Sequence, residues 1–292
     1  MIKEWLQEYK PSNKTEAEQA LREIMQEVAL AGLQRSGLFE KAAFYGGSAL
    51  RIFYGLDRFS EDLDFSLLSK DKDFSLEPYL EGIINEFDSA GMKVSVKEKI
   101  KSNQNNIDSA FLKSDTIWKE LVLENIIPEE GLNMQPGIKI KLEIDTDPPL
   151  GFETEEKLLL KPFSFYVKCF TQSNLFAGKM HALLFRKWKP RVKGRDWYDM
   201  EWYIKRKIPV NLKHLIIRAQ DSGDWDKNTM SEGEFKNLLT NKIDSVSFKS
   251  IKEDIVRFIS DDKVLEIWSP AYFMELSEKI LFVSDTPVKD TI

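Results

Sequence analysis

Asp62 and Asp64 are separated by one apolar residue, and Gly46-Gly47-Ser48 stands shortly before them. On a strand, the Asp-Leu-Asp spacing turns both carboxylates to one face. Two neighbouring hard-oxygen ligands suit Mg²⁺ (or Mn²⁺), which takes one or two carboxylates and completes its shell with water and substrate phosphates. Asp57 and Glu61 add negative charge beside them, a crowding that is unfavourable without a cation. Glycines lack a β-carbon and let backbone N–H groups approach a phosphate closely. Ser48 adds a hydroxyl donor, and a helix starting there offers free N–H groups and the positive end of its dipole. Either motif alone is commonplace in proteins. In this order, between two apolar segments, they predict a site for a metal ion and a phosphate chain.

Elements must exist to position these residues. Ala42–Tyr45 is short and apolar and reads as a buried strand entering the glycine turn, with Ser48–Tyr54 helical after it and Phe65–Leu68 extending the aspartate segment. Thr15–Gly37 carries helical spacing at Leu21, Ile24, Met25 and Val28, with Thr15 and Glu18 as a capping-box pair. Leu76–Ala90 is a second amphipathic helix. Lys93–Ile100 and Ile107–Lys113 alternate as strands, and Trp118–Ile127 has helix-like spacing. Ile138–Asp145 alternates strictly, with Lys139, Lys141, Glu143 and Asp145 on its polar face. Phe163–Phe170 is rich in aromatic and β-branched residues. Beyond Ser173 the spacing is helical, near 174–187, 195–206, 231–242, 248–259 and 270–282. The expected organisation is α+β: a domain over 1–170 with a mixed sheet flanked by helices, then a mainly helical domain over 171–292.

Composition bounds the function. The 292 residues are 42% hydrophobic and 31% charged, with 19 Phe and 7 Trp, so a large core is available and disorder is not expected. The lone Cys169 excludes an internal disulfide and a cysteine-rich zinc site; it reads as a small hydrophobe on a buried strand, in keeping with a reducing cytoplasm. No secretory leader follows Met1, and no apolar run reaches membrane-spanning length, so no membrane association is expected. The net charge of −6 argues against a generally basic nucleic-acid binder. A local exception is the acid-free run holding Lys179, Arg186, Lys187, Lys189, Arg191, Lys193 and Arg195, which fits an anion-facing or RNA-facing surface. His181 and His214 are given no role. Trp197, Tyr198, Trp202 and Tyr203 read as packing of the helical domain.

The stretch Phe44-Tyr45-Gly46-Gly47-Ser48-Ala49-Leu50-Arg51, followed by Phe59-Ser60-Glu61-Asp62-Leu63-Asp64-Phe65, resembles the signature of the DNA polymerase β-like nucleotidyltransferase superfamily. More narrowly, with Tyr54-Gly55-Leu56-Asp57-Arg58, it is similar to the AbiEii/AbiGii toxin family, to which MenT toxins are akin. Leu175 to Ala182 around Lys179, and Arg195-Asp196-Trp197-Tyr198-Asp199, match that family's later motifs, so the resemblance runs from about residue 40 to 205. The resemblance implies a third carboxylate on a neighbouring strand, with Glu143 favoured over Asp145 because it lies deeper in the alternation. It implies that Gly46, Gly47 and Ser48 grip the phosphates of a nucleoside triphosphate and that Lys179, with Arg186, neutralises them. Asp196 would orient Lys179 or help deprotonate the acceptor, whereas Asp199 reads as a structural ion pair. Arg51 and Arg58 either assist at the phosphates or pair with Asp57 or Glu61. The implied activity is transfer of a nucleotide to an acceptor hydroxyl, foremost the 3′ end of tRNA, by a toxin of a toxin–antitoxin or phage-defence system. Its antitoxin need not touch it. The rivals are a protein or small-molecule acceptor, and an inactive nucleotide-binding module.

Overall fold

Apolar residues recurring every second or every third-to-fourth position divide the chain between a sheet and its helices. The structure, a computed structural model, describes residues 2–98, 116–126, 138–186 and 192–283. It comprises two units, one of Met1–Pro148 with Thr154–Phe170, the other of Pro149–Glu153 with Thr171–Ile292. In the first, α1 (Ile2–Tyr9) and α2 (Lys14–Arg35) precede β1 (Ala42–Tyr45), α3 (Gly46–Tyr54), β2 (Asp62–Leu67) and α4 (Glu77–Ser89). Then follow β3 (Met92–Glu98), β4 (Thr116–Ile126), β5 (Lys139–Asp145), β6 (Thr154–Leu159) and β7 (Phe165–Phe170). The seven strands form one sheet in the order β3-β4-β5-β2-β1-β7-β6. It is mixed: β2 runs parallel to β5 and β1 parallel to β7, while the other neighbours are antiparallel.

The helix α2 begins at Asn13, whose side chain accepts from the Glu16 amide, rather than at the expected Thr15 cap. Its Leu21, Ile24, Met25 and Val28 have no exposed surface and share one core with Leu63, Phe65, Leu142 and Ile144 of the sheet. Each such side chain contributes roughly 1.5–3 kcal/mol on burial. The second helix of this layer, α4, crosses α2 where both carry glycine. A β-carbon on Gly32 would lie 2.6 Å from the Ile83 Cα and 2.7 Å from the Gly82 carbonyl oxygen. The polar residues of β2 and β5 point away from this layer: Leu63, Phe65, Leu142 and Ile144 are buried, while Asp62, Asp64, Lys141 and Glu143 alternate with them at intermediate exposure.

Three segments differ from expectation. The helix expected over Trp118–Ile127 is, over its described residues, instead β4, paired with β3 on one side and β5 on the other. A short apolar run fits either periodicity, and here a buried slot between two strands decides it, with Leu121 and Leu123 in the core. Strand β6 has no apolar alternation to announce it, because it lies at the sheet edge and is largely exposed. Helix α1 was also unforeseen. The expected strand at 107–113 lies outside the described residues. Cys169 is fully buried on β7, and burial pushes its thiol pKa up.

The second unit consists of α5 (Gln172–Phe185), α6 (Gly194–Lys205), α7 (Leu212–Asp221), α8 (Glu232–Ser245), α9 (Phe248–Ile255) and α10 (Pro270–Ser277). Its core is aromatic. Phe176 stacks on Tyr203 with centroids 4.3 Å apart, and Trp197 meets Phe248 and Phe273 edge-on. Trp197, Trp202 and Tyr203 are buried as packing residues, and Tyr198 lies near Trp268. The 149–153 segment joins this unit, Glu153 accepting from the Thr171 amide at 3.0 Å. Among the described residues, no helix is long and apolar enough to cross a membrane.

Two stability predictions follow from α2. Gly32→Ala forces the two helix backbones apart and is expected to cost about 1–3 kcal/mol in urea unfolding, the usual range for overpacking. Glu27 on the same helix has its carboxyl pKa raised from 4.5 to about 7, by burial first and by Glu23 second. Its ionisation therefore penalises the fold progressively from about pH 4.5 and fully above pH 7. Glu27→Gln is expected to raise Tm more at pH 8 than at pH 5, with roughly 3 kcal/mol as the upper bound at about 1.4 kcal/mol per pH unit.

Candidate functional site

In the first unit, β1 ends where the chain turns into α3 at Gly46, which holds φ +85°. Strand β2 returns antiparallel beside β1, pairing Tyr45 with Asp64. The Asp64 carboxylate then fills the space above the bend: a β-carbon on Gly46 would lie 2.3 Å from Asp64 Oδ2. The conformation and the contact both require glycine there. A carboxylate against the first turn of α3 also complements the positive end of the helix. On the other side of β2, the parallel register with β5 aligns Asp62 with Lys141, Asp64 with Glu143 and Ser66 with Asp145.

Glu143 is thus the acid beside Asp64, and Asp145 lies one pair further along, where its Oδ1 accepts from the Asp147 amide at 3.2 Å. As the side chains stand, Glu143 forms an ion pair with Lys141. Among the described residues, no three His, Cys, Asp or Glu side chains are gathered closely enough to hold a metal ion. Glu143 is thus held by Lys141 rather than grouped with Asp62 and Asp64. The donor chemistry does fit a hard divalent cation. Asp62 and Asp64 share a face, and such ions bind with one or two carboxylates while substrate phosphates complete the shell.

Ser48 is not an open donor. Fully buried, its hydroxyl donates to the main-chain carbonyl of Asp62, and Gln26 Nε2 approaches it at 3.4 Å. Gln26 also donates to the Ser60 carbonyl at 3.0 Å. These bonds tie the segment entering β2 to α3 and α2. Arg51 is turned elsewhere: it pairs with Glu23 at 2.8 Å, donates to the carbonyls of Leu56 and Asp57, and lies over the Phe59 ring. Arg58 is 1% exposed, lies against Gly47 and donates to the Phe59 carbonyl at 2.9 Å. Sequence reasoning missed Gln26. Its one signal was a polar side chain inside the apolar stripe of α2.

In the second unit, α5 and α6 bring Lys179 to Asp199 at 2.8 Å and to Asp196 at 3.5 Å. Asp199 has no exposed side-chain surface, and Lys179 has 18%. Arg186 Nη1 reaches Asp196 Oδ2 at 3.9 Å. Both aspartates share one face of α6 and hold the Lys179 ammonium between them. A β-carbon on Gly178 would meet Arg218 at an ordinary 3.9 Å, so close approach does not demand that glycine. His181 has partners distant in sequence. Its Nε2 lies 2.9 Å from Ser222 Oγ, and that hydroxyl donates to Asp224 at 2.6 Å. His214 is fully buried, and burial with the nearby Arg218 charge pushes its pKa down to about 3. Lys187, Lys189 and Arg191 lie outside the described residues.

The family model for the nucleotidyl transferase AbiEii toxin of type IV toxin–antitoxin systems matches residues 28–275. The chain belongs to the AbiEii family. Among solved structures, this AbiEii chain is similar to MenT4, a nucleotidyltransferase toxin from Mycobacterium tuberculosis H37Rv. The TM-score is 0.53 at 17% identity, over 97% of this chain and 89% of that one. A putative nucleotidyltransferase from H. pylori aligns with a TM-score of 0.50 at 16% identity, over 88% of this chain and 92% of that one. At these identities the likeness is one of fold. No curated protein sequence matches the chain. The matched span holds the glycine bend, β2, β5, Lys179 and the α6 aspartates of this AbiEii member.

Lys179→Met would leave Asp199 as a buried charge without its partner. The expected cost is about 3–5 kcal/mol, the range for breaking a buried pair. Adding Asp199→Asn should recover part of it, with thermal denaturation of the single and double variants as the check.

Proposed function

We propose that the chain is a divalent-metal-dependent nucleotidyltransferase toxin that moves a nucleoside monophosphate from its triphosphate onto the 3′ end of tRNA and so halts translation. The observation that carries this reading is the register of β1, β2 and β5. It aligns Asp62, Asp64 and Glu143 on one face, with the Asp64 carboxylate seated on the Gly46 bend. Membership of the AbiEii family supports transfer from a nucleoside triphosphate and the presence of an antitoxin, with which contact is not required.

In this proposal Asp62 and Asp64 hold the metal, Mg²⁺ before Mn²⁺, and Glu143 joins them once Lys141 releases it. The bound ion would supply charge compensation at the α-phosphate and on the departing pyrophosphate. Main-chain N–H groups of the Gly46-Gly47 bend face the outer phosphates, a role backbone amides fill without a hydroxyl from Ser48. Lys179 neutralises triphosphate charge, assisted by Arg186. Asp196 and Asp199 are positioning residues, because both are in contact with the Lys179 ammonium. In the transfer, the acceptor hydroxyl gives its proton to water, its oxygen bonds to the α-phosphorus, and the α–β phosphoanhydride bond breaks to release pyrophosphate. Arg51 carries no role here, since its guanidinium is turned to Glu23 and the 56–57 carbonyls.

The test supplies each labelled triphosphate in turn with Mg²⁺, total RNA and cell protein. Label is expected on tRNA 3′ ends, to vanish in EDTA, and to fall roughly 100-fold or more in Asp62→Asn and Asp64→Asn, as when a main source of transition-state charge stabilisation is removed. Label confined to protein, or transfer undiminished in both variants, would sink the proposal.

A further inference from the structure

The second unit contains a cleft of about 450 Å³ between the end of α5, the start of α6 and the end of α8. Three cations from three elements line it: Arg186 after α5, Lys193 at the N-cap of α6, and Lys242 in the last turn of α8. A basic run along one helix is usually a solvated face. Here the charges converge from different helices onto one cavity, floored by Trp197 with 1% exposure. Lys242 Nζ donates to the Arg186 carbonyl at 3.2 Å, so α8 fixes the point where α5 ends.

The single Asp196 carboxylate already meets Lys179 at 3.5 Å and Arg186 at 3.9 Å, and it also acts on Lys193 and Lys242. Asp224, also lining the cleft, takes a hydrogen bond from Ser222 at 2.6 Å. Burial is the first cause holding Lys193 down to about 8, and the neighbouring Arg186, Arg195 and Lys179 charges add to it. Burial also lowers the pKa of Lys242. Holding several cations close together and away from water is costly, and a multivalent anion entering the cleft would relieve that cost.

We propose that this cleft is a phosphate-binding pocket in which Arg186, Lys193 and Lys242 together hold a phosphate group, either of a triphosphate tail or of an RNA backbone. Lys242 belongs to no motif in the sequence. Which of the two phosphates is bound rests on the nucleotidyl-transfer reading; the pocket itself does not.

The test is calorimetric titration of the full chain, in EDTA, with inorganic tripolyphosphate in one arm and a short unphosphorylated RNA in the other. At least one is expected to bind, and the responding arm identifies the source. Lys193→Met and Lys242→Met should each weaken it about tenfold, a loss of about 1.4 kcal/mol. In the RNA arm, each should also reduce the salt slope by about one. Lys242→Arg, which keeps the charge, should retain binding and so separates charge from folding. Asp62→Asn should lose transfer yet bind as the wild type does; transfer undiminished in that variant, with binding unchanged, would count against the proposed reaction and leave the pocket standing. Absence of binding in both arms, or binding unchanged in folded Lys242→Met, would overturn the pocket.

Discussion

A carboxylate occupying the volume of a missing β-carbon is the contact around which the first unit is organised. Asp64 lies over Gly46 because β1 and β2 are antiparallel neighbours in a register that pairs Tyr45 with Asp64. That register is held on the opposite face by Phe44 against Phe65, with ring centroids 5.2 Å apart and both rings buried. A slip of one residue would send both aspartates into the core. The apolar layer thus sets the stereochemistry of the polar one. The bond from Ser48 to the Asp62 carbonyl, with Gln26 behind it, locks the same alignment from the helix side.

The second unit solves a different problem. Lys179 and Asp199 are both largely removed from water, where an ion pair must offset a large desolvation cost and rarely adds net stability. Such a pair specifies geometry at the expense of stability. Asp196, on the same face of α6, then shares the ammonium and extends a chain of charge to Arg186. The aromatic packing of Trp197 and Tyr203 gives this arrangement a rigid backing.

The parts of the candidate site that are local in sequence were legible. Gly46-Gly47 and Asp-Leu-Asp each declare a backbone conformation or a face within a few residues. Glu143 was separable from Asp145 only weakly, because the choice depends on which residue of β5 pairs with Asp64, and no local pattern encodes a long-range register. Ser48 shows the converse limit: its residue type suggested a phosphate donor, but the nearest acceptor in the fold is a main-chain carbonyl. Lys242 was invisible, since it reaches Arg186 from a helix 56 positions away. Among the elements, β4 was misread because its apolar run satisfies two periodicities, and β6 escaped because an exposed edge strand needs no apolar face.

The five-residue segment from Pro149 to Glu153 belongs with the helical unit although it lies between two strands of the sheet. The main chain therefore passes from one unit to the other three times. Neither unit is a contiguous stretch of sequence, so a fragment starting at Thr171 would lack the carbonyl that receives its own first amide hydrogen. Cutting the chain at Thr171 would therefore sever a hydrogen bond internal to the helical unit as well as a peptide bond.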